Sequence, residues 1–143
     1  MIRHAGLLAL RLAGDWRGAL IEGPSGSGKS DLALRALEAG WSLVADDRTL
    51  LWTSGGRLFG RAPDALGGLI EARGLGVLPQ AGRSYAEISL IVRCTPPGAI
   101  ERLPNDEAED LLGIYVPLVR LAALEASAAA KLSRALTHLG VRS

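Results

Sequence analysis

The sequence predicts an α/β fold, a mixed and partly parallel sheet with flanking helices, in a single domain over residues 1–143. Three observations predict it. The apolar run Gly18-Ala19-Leu20-Ile21-Glu22 leads directly into a glycine-rich loop, "GPSGSGKS", residues 23 to 30. From Ser30 to Ala39, apolar side chains at 32, 33, 34, 36 and 37 alternate with acids and Arg35, the pattern of a helix with one buried face. Ser42-Leu43-Val44-Ala45 then reads as a short buried strand. Strand, loop, helix, strand is a βαβ unit, the building block of a parallel sheet. At 143 residues the chain can bury one real core and is too small for a separate lid or regulatory domain.

The remaining elements follow from local signals. Leu7 to Leu12 is an apolar run, and Ala13-Gly14-Asp15 a turn, so a hairpin is expected ahead of the glycine loop. Gly40 is the expected stop of the first helix. Thr49 to Thr53 and Arg57 to Phe59 flank "SGG", a second hairpin. Pro63-Asp64 is expected to open a short helix reaching about Ile70. "EARGLGVLPQAG", residues 71 to 82, carries too many glycines for helix or sheet and reads as an ordered loop. Glu87 to Arg93, "EISLIVR", is the clearest strand of the second half, and Thr95-Pro96-Pro97-Gly98 turns the chain. Tyr115 to Leu121 reads as a further strand. The alanine-rich stretch from Leu124 to Leu139, closed by Gly140, is a terminal helix, with His138 a cation at its carboxyl end.

Composition narrows the function classes. Hydrophobic residues make up 48% and charged residues 22%, which fits a soluble globular protein. The apolar runs break too soon to span a bilayer, and the amino-terminal run is interrupted by Arg11 with no clear cleavage site behind it. Cys94 stands alone, which rules out an internal disulfide and suits the cytoplasm; it reads as a small buried apolar residue at a strand end. A formal net charge of +1 without a basic run leaves no electrostatic footprint for nucleic acid or anionic lipid. Of the 16 basic residues only Lys29 and Lys131 are lysines. One of those two stands in the glycine loop, where a compact point charge fits better than the wide fork of arginine.

Gly23, Gly28, Lys29 and Ser30 fill the phosphate-loop pattern G-x-x-x-x-G-K-[ST], with Pro24, Ser25, Gly26 and Ser27 between them. Glycines let the backbone curl until several N–H groups converge on a β-phosphate, and the helix start behind them adds partial positive charge. In such a loop the lysine reaches the β- and γ-phosphates, and the Ser30 hydroxyl ligates Mg²⁺. Asp46 and Asp47 follow at the carboxyl end of the next strand, where α/β sheets bind ligands. Side chains alternate along a strand, so both acids face one site only if the chain turns there. Two readings stay open: one acid holds the metal while the other accepts a proton, or one of the pair is a turn or capping residue.

"GPSGSGKSDLALRALEAGWSLVADD" followed by "EARGLGVL" resembles the HPr kinase/phosphorylase family, bacterial protein kinases whose substrate is the phosphocarrier HPr. The likeness covers about residues 3 to 78 and, more loosely, 100 to 140. It implies a P-loop-containing fold of the HPr kinase and PEP carboxykinase type. It also implies ATP and Mg²⁺ as cofactors, HPr or an HPr-like phosphocarrier as partner, a place in the cytoplasm and a hexameric assembly. Carried over, residues 23 to 30 bind ATP, Lys29 is catalytic and Ser30 is a Mg²⁺ ligand. Asp47 is the base in phosphorylation and the proton donor in the reverse direction, Asp46 sits near the metal, and Glu71 is the second Mg²⁺ ligand. His4 in "RHAG" and Arg102 in "ERLP" take the catalytic histidine and late arginine positions.

The resemblance is to the short, single-domain form seen in alphaproteobacteria. Here "VPLVRLAALEAS" replaces the loop associated with dephosphorylation, so the likeness carries kinase activity further than phosphorylase activity. Two other classes fit the loop. A small-molecule kinase or carboxykinase-like enzyme would need a lid, for which no segment stands out; a non-enzymatic nucleotide sensor would have no use for Asp47.

Overall fold

In the computed structural model, residues 1–64 and 67–140 are described. The strands are β1 (Ile2–Arg3), β2 (Gly6–Leu12), β3 (Asp15–Glu22), β4 (Ser42–Ala45), β5 (Thr49–Ser54), β6 (Arg57–Arg61), β7 (Leu69–Ala72), β8 (Gly76–Pro79), β9 (Ala86–Cys94), β10 (Glu107–Leu111) and β11 (Ile114–Leu121); the helices are α1 (Lys29–Glu38) and α2 (Ala128–Leu139). The main sheet runs β1-β5-β6-β9-β3-β2-β4, with β11 also on β9 and β10 outside β11. No helix among the described residues is long and apolar enough to cross a membrane.

The first hairpin forms as expected, from Gly6 opposite Ile21 to Leu12 opposite Asp15. Ala13 and Gly14, with φ of 51° and 87°, supply the left-handed pair that a tight hairpin between twisted strands requires. That hairpin splits the βαβ unit. β2 already occupies one edge of β3, and β9 lies parallel on the other, so β4 returns beside β2, antiparallel to it. Strands β3 and β4 therefore point the same way with β2 between them. Helix α1 buries Leu32, Ala33 and Ala36 and ends where expected. Gly40 takes φ 99°, and the Trp41 N–H reaches back to Ala36 O at 3.0 Å, closing the last turn.

Strand β9 is the hub. Its first residues pair with β6 (Phe59 with Glu87, Gly60 with Ala86) and its last with β11 in parallel (Leu118 with Ile91 through Leu121 with Cys94). A register shift places Gly18 opposite Ile88 but Ala19 opposite Leu90, so Ser89 is the extra residue and parity changes across it. Leu90, Val92 and Cys94 then face the helices, packing with Leu32, Leu132 and Leu136. Ile88 and Ile91 face the opposite side, against Leu7, Leu20, Leu51, Leu58 and Val116. One face of the sheet is covered by helices; hairpins fold over the other.

Three expectations change. Residues 69 to 79 form the hairpin β7–β8, because Gly74 and Gly76, at φ 89° and 100°, lie in or beside its turn rather than interrupting paired strand. The helix expected from Pro63 to Ile70 includes Ala65 and Leu66, which lie outside the described residues; beyond them Gly67 and Gly68 turn the chain and Leu69 begins β7. The terminal helix starts at Ala128, four residues later than expected. Strand β10, "EAEDL", has a sequence pattern too acidic to read as a strand, yet it pairs along its whole length with β11.

Candidate active site

Strand β3 delivers the chain to Gly23, and the glycine loop closes on itself there. The Ser27 N–H donates to Pro24 O at 3.1 Å, and the Lys29 Nζ donates to Gly23 O at 2.7 Å, spanning the loop. Gly23 has φ 154°, and a Cβ on it would lie 2.8 Å from Ser27 Oγ and 2.9 Å from the Cβ of Cys94. No side chain fits. Gly26 and Gly28 are left-handed at 80° and 96°, and Gly28 caps α1 without a side-chain cap. Within the helix the Leu32 N–H bonds to Gly28 O at 2.9 Å, so the amides of residues 29 to 31 have no partner inside it. Ser27 Oγ is buried with no hydrogen-bonded partner of good geometry, although the Cys94 thiol lies beside it. An inward-curled backbone, unpaired helix-start amides, a half-buried lysine and an orphaned hydroxyl together fit a polyphosphate.

The chain turns at the two acids, so they are not held to opposite faces of a continuing strand. Strand β4 ends at Ala45, Asp47 takes φ 65°, and the Arg48 N–H donates to Asp46 O at 2.7 Å. Asp46 Oδ2 accepts the Glu71 N–H at 2.8 Å, which ties hairpin β7–β8 to the end of β4. Burial pushes the Asp46 carboxyl above the ordinary aspartate range; the Glu71 amide opposes that rise, the charges of Asp47 and Glu71 add to it, and Lys29 opposes it. Asp47, Glu71 and Lys29 thus each lie within electrostatic reach of Asp46. Oxygen donors from two elements beside a phosphate-type loop suit a hard divalent cation. No group of three or more His, Cys, Asp or Glu among the described residues would hold a metal by itself.

His4 is exposed between β1 and β2. Arg3 ahead of it pairs with Thr49, and Thr49 Oγ1, fully buried, donates to Ala5 O at 2.8 Å. Gly6 lies against the acid turn, where a Cβ would meet Ala45 O at 3.4 Å and the Asp47 nitrogen at 3.8 Å. Pro24, Ser25 and Ser30 are exposed on the loop. Arg102 stays outside the cluster. It lies in the exposed segment after β9 and lines a groove bounded by β10, β11 and α2, whose walls include neither the glycine loop nor the acids.

Two contributors were not legible as site residues. Cys94, expected as strand-end filler, is the floor that reserves Gly23 for glycine. Arg35 donates from its guanidinium to Glu125 O at 2.9 Å and to Ala123 O, holding the segment that packs on Gly28, where Leu124 touches the space of a missing Cβ. An arginine on a helix face gives no sign of that in sequence.

Comparison with known proteins identifies the family. Residues 10–136 match the family model for the HPr serine kinase C-terminal domain. An HPr kinase/phosphorylase of Bordetella pertussis is 40% identical over 116 residues, covering 73% of this chain and 38% of that protein. One of Xanthomonas campestris pv. campestris is 37% identical over 139 residues, covering 87% and 44%. The chain therefore spans about two fifths of the length of these relatives. The solved structure of the HPr(Ser) kinase/phosphatase from Coxiella burnetii matches with a TM-score of 0.80 at 26% identity, covering 96% of this chain and 88% of that one. The chain belongs to the HPr serine kinase C-terminal domain family.

Proposed function

We propose that the chain is the catalytic part of an ATP- and Mg²⁺-dependent protein serine kinase acting on HPr or an HPr-like phosphocarrier, working in the cytoplasm. The observation that carries this reading is the Asp46 carboxylate, which accepts the Glu71 N–H and lies within electrostatic reach of Lys29 in the glycine loop, with Asp47 beside it on a left-handed turn. The relatives named for that activity support it.

Mg²⁺, when bound, would neutralise charge on the β- and γ-phosphate oxygens. Ser30, Glu71 and Asp46 are the residues that would hold it. The loop amides and Lys29 bind and orient the triphosphate. Asp47 accepts the proton of the acceptor serine as its oxygen forms a bond to the γ-phosphorus and the bond to ADP breaks. His4 and Lys29 balance the charge on the transferring group. Phosphoryl transfer asks mainly for positioning and fixed charge, which these residues supply. In reverse, inorganic phosphate would attack the phosphoserine, pyrophosphate would leave, and Asp47 would return the proton. Arg102 enters by resemblance alone.

Incubation with radiolabelled ATP, Mg²⁺ and purified HPr, followed by addition of phosphate, tests both directions. Label should appear on a serine and then depart as pyrophosphate. Asp47→Ala should bind ATP with near-normal affinity and lose transfer by a factor of at least about 10². Undiminished transfer in that variant would instead favour a site in which Asp47 only shapes the turn.

A further inference from the structure

Four charged side chains from four strands close a ring beside the phosphate loop. Glu22, the last residue of β3, is only 7% exposed. Its Oε2 accepts Arg3 Nε at 3.1 Å, and its Oε1 accepts Arg93 Nη2 at 2.5 Å. Glu109 on β10 completes the circuit, with Oε2 at 2.7 Å from Arg3 Nη2 and Oε1 at 2.9 Å from Arg93 Nη2. Each guanidinium touches both carboxylates, so the ring is formally neutral. Burial works against the charge on Arg3, but hydrogen bonding and charge from Glu109 and Glu22 outweigh it and the guanidinium is held more firmly ionised.

The placement of the ring is what bears on function. A buried carboxylate one residue ahead of Gly23 would repel an anion in the loop unless it were compensated, and here it is compensated twice. Arg3 is also the neighbour of His4. On the β5 side the His4 segment is tethered by Arg3 paired with Thr49 and by the Thr49 hydroxyl on Ala5 O. On the β3 side the described residues give its side chains one charged tether, the bond from Arg3 to Glu22. We propose that the ring is a positioning device for the transfer site, in which Arg3, braced by Glu22, Glu109 and Arg93, ties the His4 segment to the end of the strand that delivers the phosphate loop. This rests on the reading of His4 as a transfer residue.

His4 and His138 are the only histidines, so two imidazole signals report separately on the site and on the far end of α2. In Arg3→Met, which keeps the aliphatic stem and removes the fork, the His4 imidazole resonances should move while those of His138 stay. The kcat for transfer to HPr should fall about tenfold or more, since small displacements of a reacting group are costly, with ATP affinity within about twofold of the parent. Arg3→Lys, able to reach one carboxylate at a time, should recover part of the loss. If Arg3→Met does not fold, Glu109→Gln opens the ring from its more exposed side and is read the same way. Full activity in Arg3→Met alongside reduced activity in His4→Ala would overturn the inference. Full activity in His4→Ala would overturn the reading beneath it.

Discussion

Asp46 and Asp47 are adjacent in sequence and opposite in circumstance. Asp46 is half-buried, bonded to the Glu71 amide and raised in pKa, first by desolvation and then by its acidic neighbours; Asp47 is exposed on a left-handed residue. A carboxyl whose pKa is raised on folding favours the folded state while protonated, and that contribution is lost as pH rises through the folded value. Replacing Asp46 with Asn removes the charge and keeps an oxygen to accept the Glu71 N–H. In metal-free buffer, Asp46→Asn should melt at the parent's temperature below the ordinary aspartate pKa of about 4 and progressively above it as pH rises towards about 7. Thermal unfolding across that range reads the sign directly; a constant offset at every pH would mean the charge is not what differs. The loop glycines make a second contrast. Gly26→Ala meets no atom within 4 Å and should cost about 1–2 kcal/mol of backbone strain alone. Gly23→Ala meets the Cys94 Cβ on the buried hub strand and should cost at least about 1–3 kcal/mol more, with nucleotide binding lost alongside, as measured by urea unfolding and nucleotide titration.

Among the elements, the hairpin β7–β8 matters most to the site, since it brings Glu71 to the acids and its described link to them is the Asp46 carboxylate on the Glu71 N–H. Removing the acceptor with Asp46→Ala should raise the hydrogen-exchange rate of the Glu71 amide by about tenfold or more, whereas Asp46→Asn should leave it protected. Equal exchange in the two variants would place the tether elsewhere. This element also marks where sequence reasoning stops. Strands β2, β3, β4 and β9 and helix α1 are legible because their apolar periodicity is the packing itself, and the loop at residues 23 to 30 because the left-handed turns its backbone makes require the glycines that mark it. Hairpin β7–β8 hides because glycine in a turn and glycine in a loop look alike without the pairing partner. Strand β10 hides for the opposite reason. It is an outer strand pairing only with β11, and its acids keep that free edge from recruiting another strand. The ring of Arg3, Glu22, Arg93 and Glu109 joins residues scattered from one end of the chain to beyond its middle, and only an acid ending the apolar run at Glu22 hinted at a partner.

For the whole molecule, the organising fact is that one strand serves both cores. Leu90 and Ile91 are neighbours on β9, both fully buried, and they face opposite ways: Leu90 into the cluster with α1 and α2, Ile91 into the cluster under the hairpins. The helix side carries the glycine loop on its first helix, while the hairpin side contributes β5, against which the His4 segment is registered. A site assembled from both sides holds its geometry only if the two cores unfold together. Leu90→Ala and Ile91→Ala should each cost about 2–5 kcal/mol, the range for truncating a buried aliphatic side chain. If β9 couples the cores, each variant should lower the urea midpoint of the whole chain with an unchanged slope. With Trp16 and Trp52 replaced by Phe, far-ultraviolet dichroism and the fluorescence of Trp41, which packs on the helix side, should then fall on one curve. If Ile91→Ala instead lets the hairpin side melt first while Trp41 keeps its native signal, the cores are separable. The registration of the His4 segment on β5 relative to strand β3 would then need a cause other than the shared strand.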